Sequence, residues 1–269
     1  LGREIQYSNT KRHMKFAVLG LGEAGSRFAN DLAELGHTVK GWDPNLRYLL
    51  NKSVYFAKSN VEAVKDADII FSANEKEAAL DIAREIAPFL NEKQFFCEMN
   101  TIAPDMKLSI AALLSNAKVN VIDLAIMAPV PPAGIKTPFL VSGKAAAQFQ
   151  ALTASFLNVT VKAGDVGTAA GYKLMRSIVY KGVAAVICEA MDIAKSMEEE
   201  SYMRKQIKSI LGSDELIDRF LEGSIKHANR RMKEMDAVCD FMVANDKPPI
   251  MAKATYENLK KLNHLGHDL

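Results

Sequence analysis

The sequence predicts an α/β fold: a mostly parallel sheet with helices on its faces, followed by an all-helical region. Three observations carry this. Short apolar runs alternate with amphipathic stretches from Met14 to about Lys162, a glycine-rich turn joins the first run to the first helix, and the strand signal stops after Gly164.

The apolar runs are Phe16 to Leu19, Thr38 to Trp42, Ile69 to Ser72, Phe95 to Met99, Val121 to Ile126, Phe139 to Val141 and Thr160 to Lys162. Between them, Ala24 to Leu35 reads as a helix closed by Gly36, in the place that favours a left-handed cap. Ser59-Asn-Val-Glu62 is a capping-box start, and 75–89 and 145–157 have helical spacing. Strand and helix alternating in this way close as a mostly parallel sheet. Beyond Gly164, helical spacing runs over 166–196, 202–211, 214–245 (with room for a break) and 252–262. The expected organisation is a disordered or expression-derived tail over 1–13 ahead of a start at Met14, an α/β domain over 14–163, and a helical substrate and dimerisation domain over 164–269.

Lys plus Arg number 34 and Asp plus Glu 32 in 269 residues. That balance argues against nucleic acid and anionic membrane as partners and favours a small molecule. The tail holds three bases and one acid, so residues 14–269 carry 31 of each sign. Cys97, Cys188 and Cys239 are far apart and have no neighbouring histidine, which indicates neither a disulfide framework nor a zinc site. No apolar run approaches the ~18 residues of a membrane span, so a cytoplasmic location is expected.

Gly20-Leu21-Gly22-Glu23-Ala24-Gly25 follows the first strand and opens the first helix, the context that gives GxGxxG its meaning as a Rossmann fingerprint. Gly20 permits a tight turn, Gly22 lets backbone approach a pyrophosphate, and Gly25 lets helix and strand pack closely. Asp43, eighteen positions beyond Gly25, ends the second strand; a carboxylate there accepts from ribose hydroxyls and repels the extra phosphate of NADP, so NAD is expected over NADP. Arg47 weakens that preference.

These residues resemble the β-hydroxyacid dehydrogenase family, which includes 3-hydroxyisobutyrate and 6-phosphogluconate dehydrogenases. Residues 20–44 resemble its cofactor motif, Glu98 to Pro104 (EMNTIAP) its Asp-x-Ser-Thr-Ile-x-Pro segment, and Gly164 to Ser177 its catalytic-lysine segment. The resemblance covers Met14 to about Asp240, and is greatest to a branch carrying Lys-x-x-Arg-Ser-x-x-x-Lys-Gly (173–182) and His-Ala-x-Arg-Arg-x-x-Glu-Met (227–235). It implies a Rossmann domain, a helical domain that commonly builds a homodimer, an active site in the cleft between the two, and Lys173 as the general acid/base. Asn100 and Thr101 would lie near the nicotinamide, with Asn74 at an equivalent strand end. Lys233 and Glu234 stand where the family has a Lys-Asp pair that closes over cofactor and substrate.

Independently of the resemblance, Lys173, Ser177 and Lys181 fall at i, i+4 and i+8, with Arg176 and Tyr180 on adjacent rows. They make one polar stripe on an otherwise apolar helix. Three departures from the family concern the substrate. Ser177 replaces an asparagine, Tyr180 stands where the decarboxylating branch has a second acid, and Met127-Ala128-Pro129 replaces the serine and glycines that grip a carboxylate. Arg176 can supply the lost anion grip. The bases at 227–233 also fit a solvated face balanced by Glu234 and Asp236.

The expectation is an NAD(P)-dependent dehydrogenase acting on CH–OH groups of an anionic hydroxy acid or sugar acid. Catalytic roles fall to Lys173, Ser177 and Asn100, substrate contacts to Arg176, Tyr180, Met127 and Ala128, and cofactor contacts to 20–25, Asp43, Asn74, Thr101 and Lys233, with no metal. The alternatives are an imine or other carbonyl-type reductase on this scaffold, and a non-catalytic NAD(P) sensor.

Overall fold

A computed structural model describes residues 13–265. The expected tail lies outside the described residues up to position 12. The chain divides into two compact units. Of the described residues, the first comprises 13–100 and 105–169, the second 101–104 and 170–265.

In the first unit β1 (Lys15–Leu19), β2 (Thr38–Trp42), β3 (Val54–Phe56), β4 (Ile69–Ser72), β5 (Phe95–Glu98), β6 (Asn120–Ile126), β7 (Pro138–Ser142) and β8 (Asn158–Val161) form one sheet in the order β3-β2-β1-β4-β5-β6-β7-β8. All neighbours pair in parallel except β6 with β7. β4 and β5 are buried along their whole length, as strands covered on both faces must be, and their sequences are accordingly apolar without alternation up to their last residues, Ser72 and Glu98. Strand order reverses between β1 and β4, the switch point beside which such sheets bind ligands. The expected Rossmann sheet is therefore present. It holds one strand, β3, that periodicity did not mark.

Helices α1 (Glu23–Glu34), α2 (Asn60–Val64), α3 (Ala79–Ile86), α4 (Pro104–Leu114), α5 (Val130–Ala133) and α6 (Ala146–Thr153) connect the strands. Gly36 takes the left-handed φ of +88° after α1. The Ser59 hydroxyl accepts from Glu62 N at α2, while the Glu62 carboxylate reaches back to Lys58 N at 2.6 Å instead of to the cap residue. The amphipathic stretch over 75–89 is only partly helix: α3 begins at Ala79 and gives way to a 3₁₀ turn over Ala87–Phe89. The core of the sheet is aromatic; Phe28 meets Phe71 and Phe139 edge-on, with ring centroids 6.2 and 5.7 Å away.

The second unit is helical: α7 (Thr168–Ser196, its first two residues in the sheet unit), α8 (Glu200–Leu211), α9 (Asp214–Lys226), α10 (Ala228–Ala244) and α11 (Ile250–Leu265). The break within 214–245 falls at His227. Leu174, Met235, Val238, Ala252 and Leu259 form one core, and Ala184, Ile187, Ile207, Ile217 and Phe220 a second. No helix among the described residues is long and apolar enough to cross a membrane.

A polar core underlies the sheet. Lys107, on α4, is 1% exposed; its Nζ lies 2.9 Å from Oδ1 of the fully buried Asp123 on β6 and donates to the Glu98 carbonyl at 2.7 Å. Asp123 Oδ2 accepts from Ser142 Oγ at 3.2 Å and from Gly167 N at 3.0 Å, and Ser142 Oγ accepts from Ala169 N. One carboxylate thus ties two strands to the segment that leaves the sheet. Lys107→Met is expected to cost about 3–5 kcal/mol in urea unfolding, because it strands a buried charge. Adding Asp123→Asn should recover much of that loss, since the charge disappears while acceptors for Ser142 and Gly167 remain.

Candidate active site

The glycine loop follows β1. Gly20 has φ +90°, and a Cβ there would come within 2.5 Å of the Ala73 carbonyl oxygen; one at Gly25 would come within 1.9 Å of Gly20 O. Both positions require glycine. Gly22 differs: a Cβ there would meet nothing within 4 Å, so the third glycine opens space instead of relieving contact. It is also the N-cap of α1 and has no side chain to cap the first-turn N–H groups, which leaves the helix end for an anion. Asp43 Oδ2 accepts from Leu21 N at 2.7 Å and Oδ1 from Asn45 N at 2.7 Å. The carboxylate therefore fixes the loop while retaining lone pairs for ribose hydroxyls. These residues fit a dinucleotide: space at Gly22, donors at the helix end and an acceptor at Asp43.

At the carboxyl ends of β4 and β5, Asn100 Nδ2 donates to Asn74 Oδ1 at 2.9 Å, and Asn74 Nδ2 donates to Ser72 Oγ at 3.1 Å. Asn100 N donates to Glu98 Oε1 at 2.8 Å. Glu98 is fully buried and its Oε2 has no hydrogen-bond partner among the described residues. Burial pushes this carboxyl up, against the pull of Lys107 and the Asn100 N–H. The sequence ranked Asn74 and Asn100 as site residues and passed over the glutamate that orients one of them. A shallow groove of about 810 Å³ lined by Ala87, Leu90, Asn91, Glu92 and Lys118, among others, lies at the opposite, amino ends of β5 and β6, away from the switch point.

The second unit gathers the rest. Thr101 belongs to it, and Lys173 Nζ on α7 donates to Thr101 Oγ1 at 2.7 Å, so the EMNTIAP and lysine segments meet. One helical turn on, Ser177 Oγ accepts from Lys181 Nζ at 3.0 Å, and that amine lies 2.5 Å from Glu234 Oε2 on α10. Burial pushes the Glu234 carboxyl up, but the Lys181 and Lys173 charges and the Lys181 hydrogen bond outweigh it and hold the group below the usual range. Glu234 is therefore no counterweight on a solvated face; it is the carboxylate at the centre of the α7 polar stripe.

Arg231 is buried too, so the solvated-face reading fails for these two residues, while Lys233, Arg230 and Asp236 are exposed. Arg176 is exposed with its Cζ 6.0 Å from the Tyr180 ring centre. In the first unit Met127 N donates to Pro138 O at 2.9 Å and Pro129 has no N–H.

A Gly-rich loop opening a helix at the switch point, joined to a helical unit that presents a hydrogen-bonded lysine, defines a nicotinamide-dinucleotide oxidoreductase. Residues 15–167 match the NAD binding domain of 6-phosphogluconate dehydrogenase, and 196–262 match a domain of unknown function, DUF1932. The chain belongs to the β-hydroxyacid dehydrogenase family. It is 26% identical over 255 residues, 93% of this chain and 99% of the other, to an uncharacterized 28.5 kDa protein of Methanothermus fervidus. It is 26% identical to the mitochondrial 3-hydroxyisobutyrate dehydrogenase of Drosophila melanogaster over 66% of this chain and 54% of that protein. The fold matches that of Mycobacterium tuberculosis 3-hydroxyisobutyrate dehydrogenase with a TM-score of 0.75 at 16% identity, covering 93% of this chain and 94% of that one.

The buried glutamate makes a testable pH dependence. A carboxyl raised in the folded state contributes most below its unfolded value, near 4.5, and that contribution is lost as pH rises through the folded value. Glu98→Gln should therefore gain melting temperature relative to the parent as pH is raised from 4.5 to 8 in calorimetry. A constant difference would show that Glu98 is not titrating there.

Proposed function

We propose that the protein is a cytoplasmic, NAD-preferring dehydrogenase that oxidises the secondary alcohol of an anionic hydroxy acid or sugar acid, with Lys173 as general acid/base. The observation that carries this reading is the Lys173–Thr101 hydrogen bond, which joins two motifs 72 residues apart in the second unit. The nicotinamide, when bound, supplies the hydride acceptor. Lys173 Nζ takes the hydroxyl proton in oxidation and returns it in reduction. Ser177, whose oxygen already accepts from Lys181, keeps a proton to donate to the substrate oxygen. Glu234 anchors Lys181 and thereby the turn of α7 that carries Ser177. Asn100, held by Glu98 and Asn74, orients the substrate, and Arg176 grips its anion in place of Met127 and Ala128. Asp43 favours NAD over NADP, and Lys233 supports the cofactor.

Lys173→Ala should lower turnover by at least 10³-fold on any substrate found in a panel of hydroxy acids, sugar acids and their phosphates, while NADH affinity by fluorescence stays within about twofold. Turnover retained by this variant would remove Lys173 from the mechanism. NADH binding with no turnover by the parent on any panel member would favour the sensor.

A homodimer completes the reading. Along α7, Tyr172, Met175, Val179, Val186 and Ile193 are exposed at spacings of three, four and seven residues, an apolar stripe that Met197 continues just past the end of the helix. A second copy is the expected cover. Val179→Glu together with Val186→Glu should shift the elution and light-scattering mass from dimer to monomer; an unchanged dimer would place the contact elsewhere.

A further inference from the structure

Arg231 on α10 is 7% exposed, and among the described residues no carboxylate makes an ion pair with it. Its Nη1 donates to the fully buried Ser224 Oγ at 2.8 Å, and its Cζ lies 5.7 Å from the Tyr180 ring centre. Nη2 lies against Gly223, where a Cβ would come within 2.6 Å, so α9 supplies both the space and the hydroxyl for the guanidinium. The nearby carboxylate, Glu234, is committed to Lys181 at 2.5 Å. A guanidinium taken out of water without an anion is costly unless something neutralises it. Its neighbours add positive charge: Arg176 also lies 6.0 Å from the Tyr180 ring, and Arg230 adjoins it in sequence.

We propose that Arg231, with Arg176 beside the same tyrosine ring, forms an oxyanion subsite on the helical unit, taking a phosphate, sulfonate or carboxylate at the far end of the substrate. Guanidinium nitrogens not used by Ser224 are a planar donor set matched to such groups. Tyr180 lies seven residues beyond Lys173, about 10 Å along α7. The anion held there is accordingly distal to the reacting carbon, which points to a multi-carbon hydroxy acid or its phosphate ester. This placement rests on Lys173 being the proton-transfer group; the subsite itself does not.

The test uses the full chain and inorganic phosphate, titrated at constant ionic strength against chloride and followed by ³¹P line width and melting temperature. The parent should bind phosphate saturably. Arg231→Met should weaken that binding at least tenfold, and Arg231→Lys, which keeps the charge and loses the planar fork, should weaken it measurably if the methionine variant fails to fold. Arg84→Met, at an exposed pair on α3, should change nothing. NADH affinity should be unaffected throughout, which separates this subsite from the pyrophosphate site at Gly22. Absence of saturable phosphate binding in the parent, or binding within twofold of the parent in a folded Arg231 variant, overturns the proposal. Normal phosphate binding in a chain inactive on every hydroxy acid would refute the dehydrogenase reading and leave the subsite. Hydroxy-acid turnover indifferent to Arg231 would do the reverse.

Discussion

The buried Lys107–Asp123 pair organises the first unit. A lysine inside a sheet domain is unfavourable unless its charge and protons are met, and here the Asp123 carboxylate pairs the charge at 2.9 Å while the Glu98 carbonyl accepts a proton at 2.7 Å. Because the carbonyl belongs to the last residue of β5, the lysine fixes where that strand ends and where Asn100 begins its turn. Because Asp123 also accepts from Gly167 N, the same charge sets the path of the chain out of the sheet. Two ends of the fold, far apart in sequence, share one buried ion pair.

A second pair does comparable work in the helical unit. Lys181 and Glu234 hold α7 to α10 at the level of Ser177. Such a contact need not add net stability compared with packed hydrophobic groups, but it sets register, because sliding either helix by one residue would separate the charges. Register matters on this helix, where Lys173, Ser177 and Lys181 occupy successive turns. With Glu234 engaged by Lys181, Arg231 is left without a carboxylate of its own, and the two halves of the basic 227–233 segment acquire different characters: one cation buried, the others exposed.

What could be read from the sequence was what is encoded locally. The glycine loop, Asp43, the capping box at Ser59 and the polar stripe of α7 are each patterns within one or two elements, and each lies where its spacing implies. β3 escaped because three residues show no period. α4 escaped because Met106, Leu108, Ile110, Leu113 and Leu114 are distributed around the helix and leave no clean stripe, with a lysine among its buried positions. The antiparallel pairing of β6 and β7 has no signature in composition, since apolar runs do not state a direction. Arg231 reads as a surface residue in its own helix; only Gly223 and Ser224, on the preceding helix, make it a buried one.

That last case separates two kinds of basic residue that sequence treats alike. Arg230 is exposed, and solvent screens its charge. Arg231 is held by a hydroxyl, a ring and the missing Cβ of Gly223, with little rotamer freedom left to lose when an anion arrives. A formally neutral body can therefore still discriminate among anions, because the discrimination depends on one desolvated cation kept in place and not on net charge. The segment from Met127 to Pro129 gives one backbone donor to Pro138 O and has no N–H at Pro129, while the buried guanidinium lies on the helical unit, at Arg231.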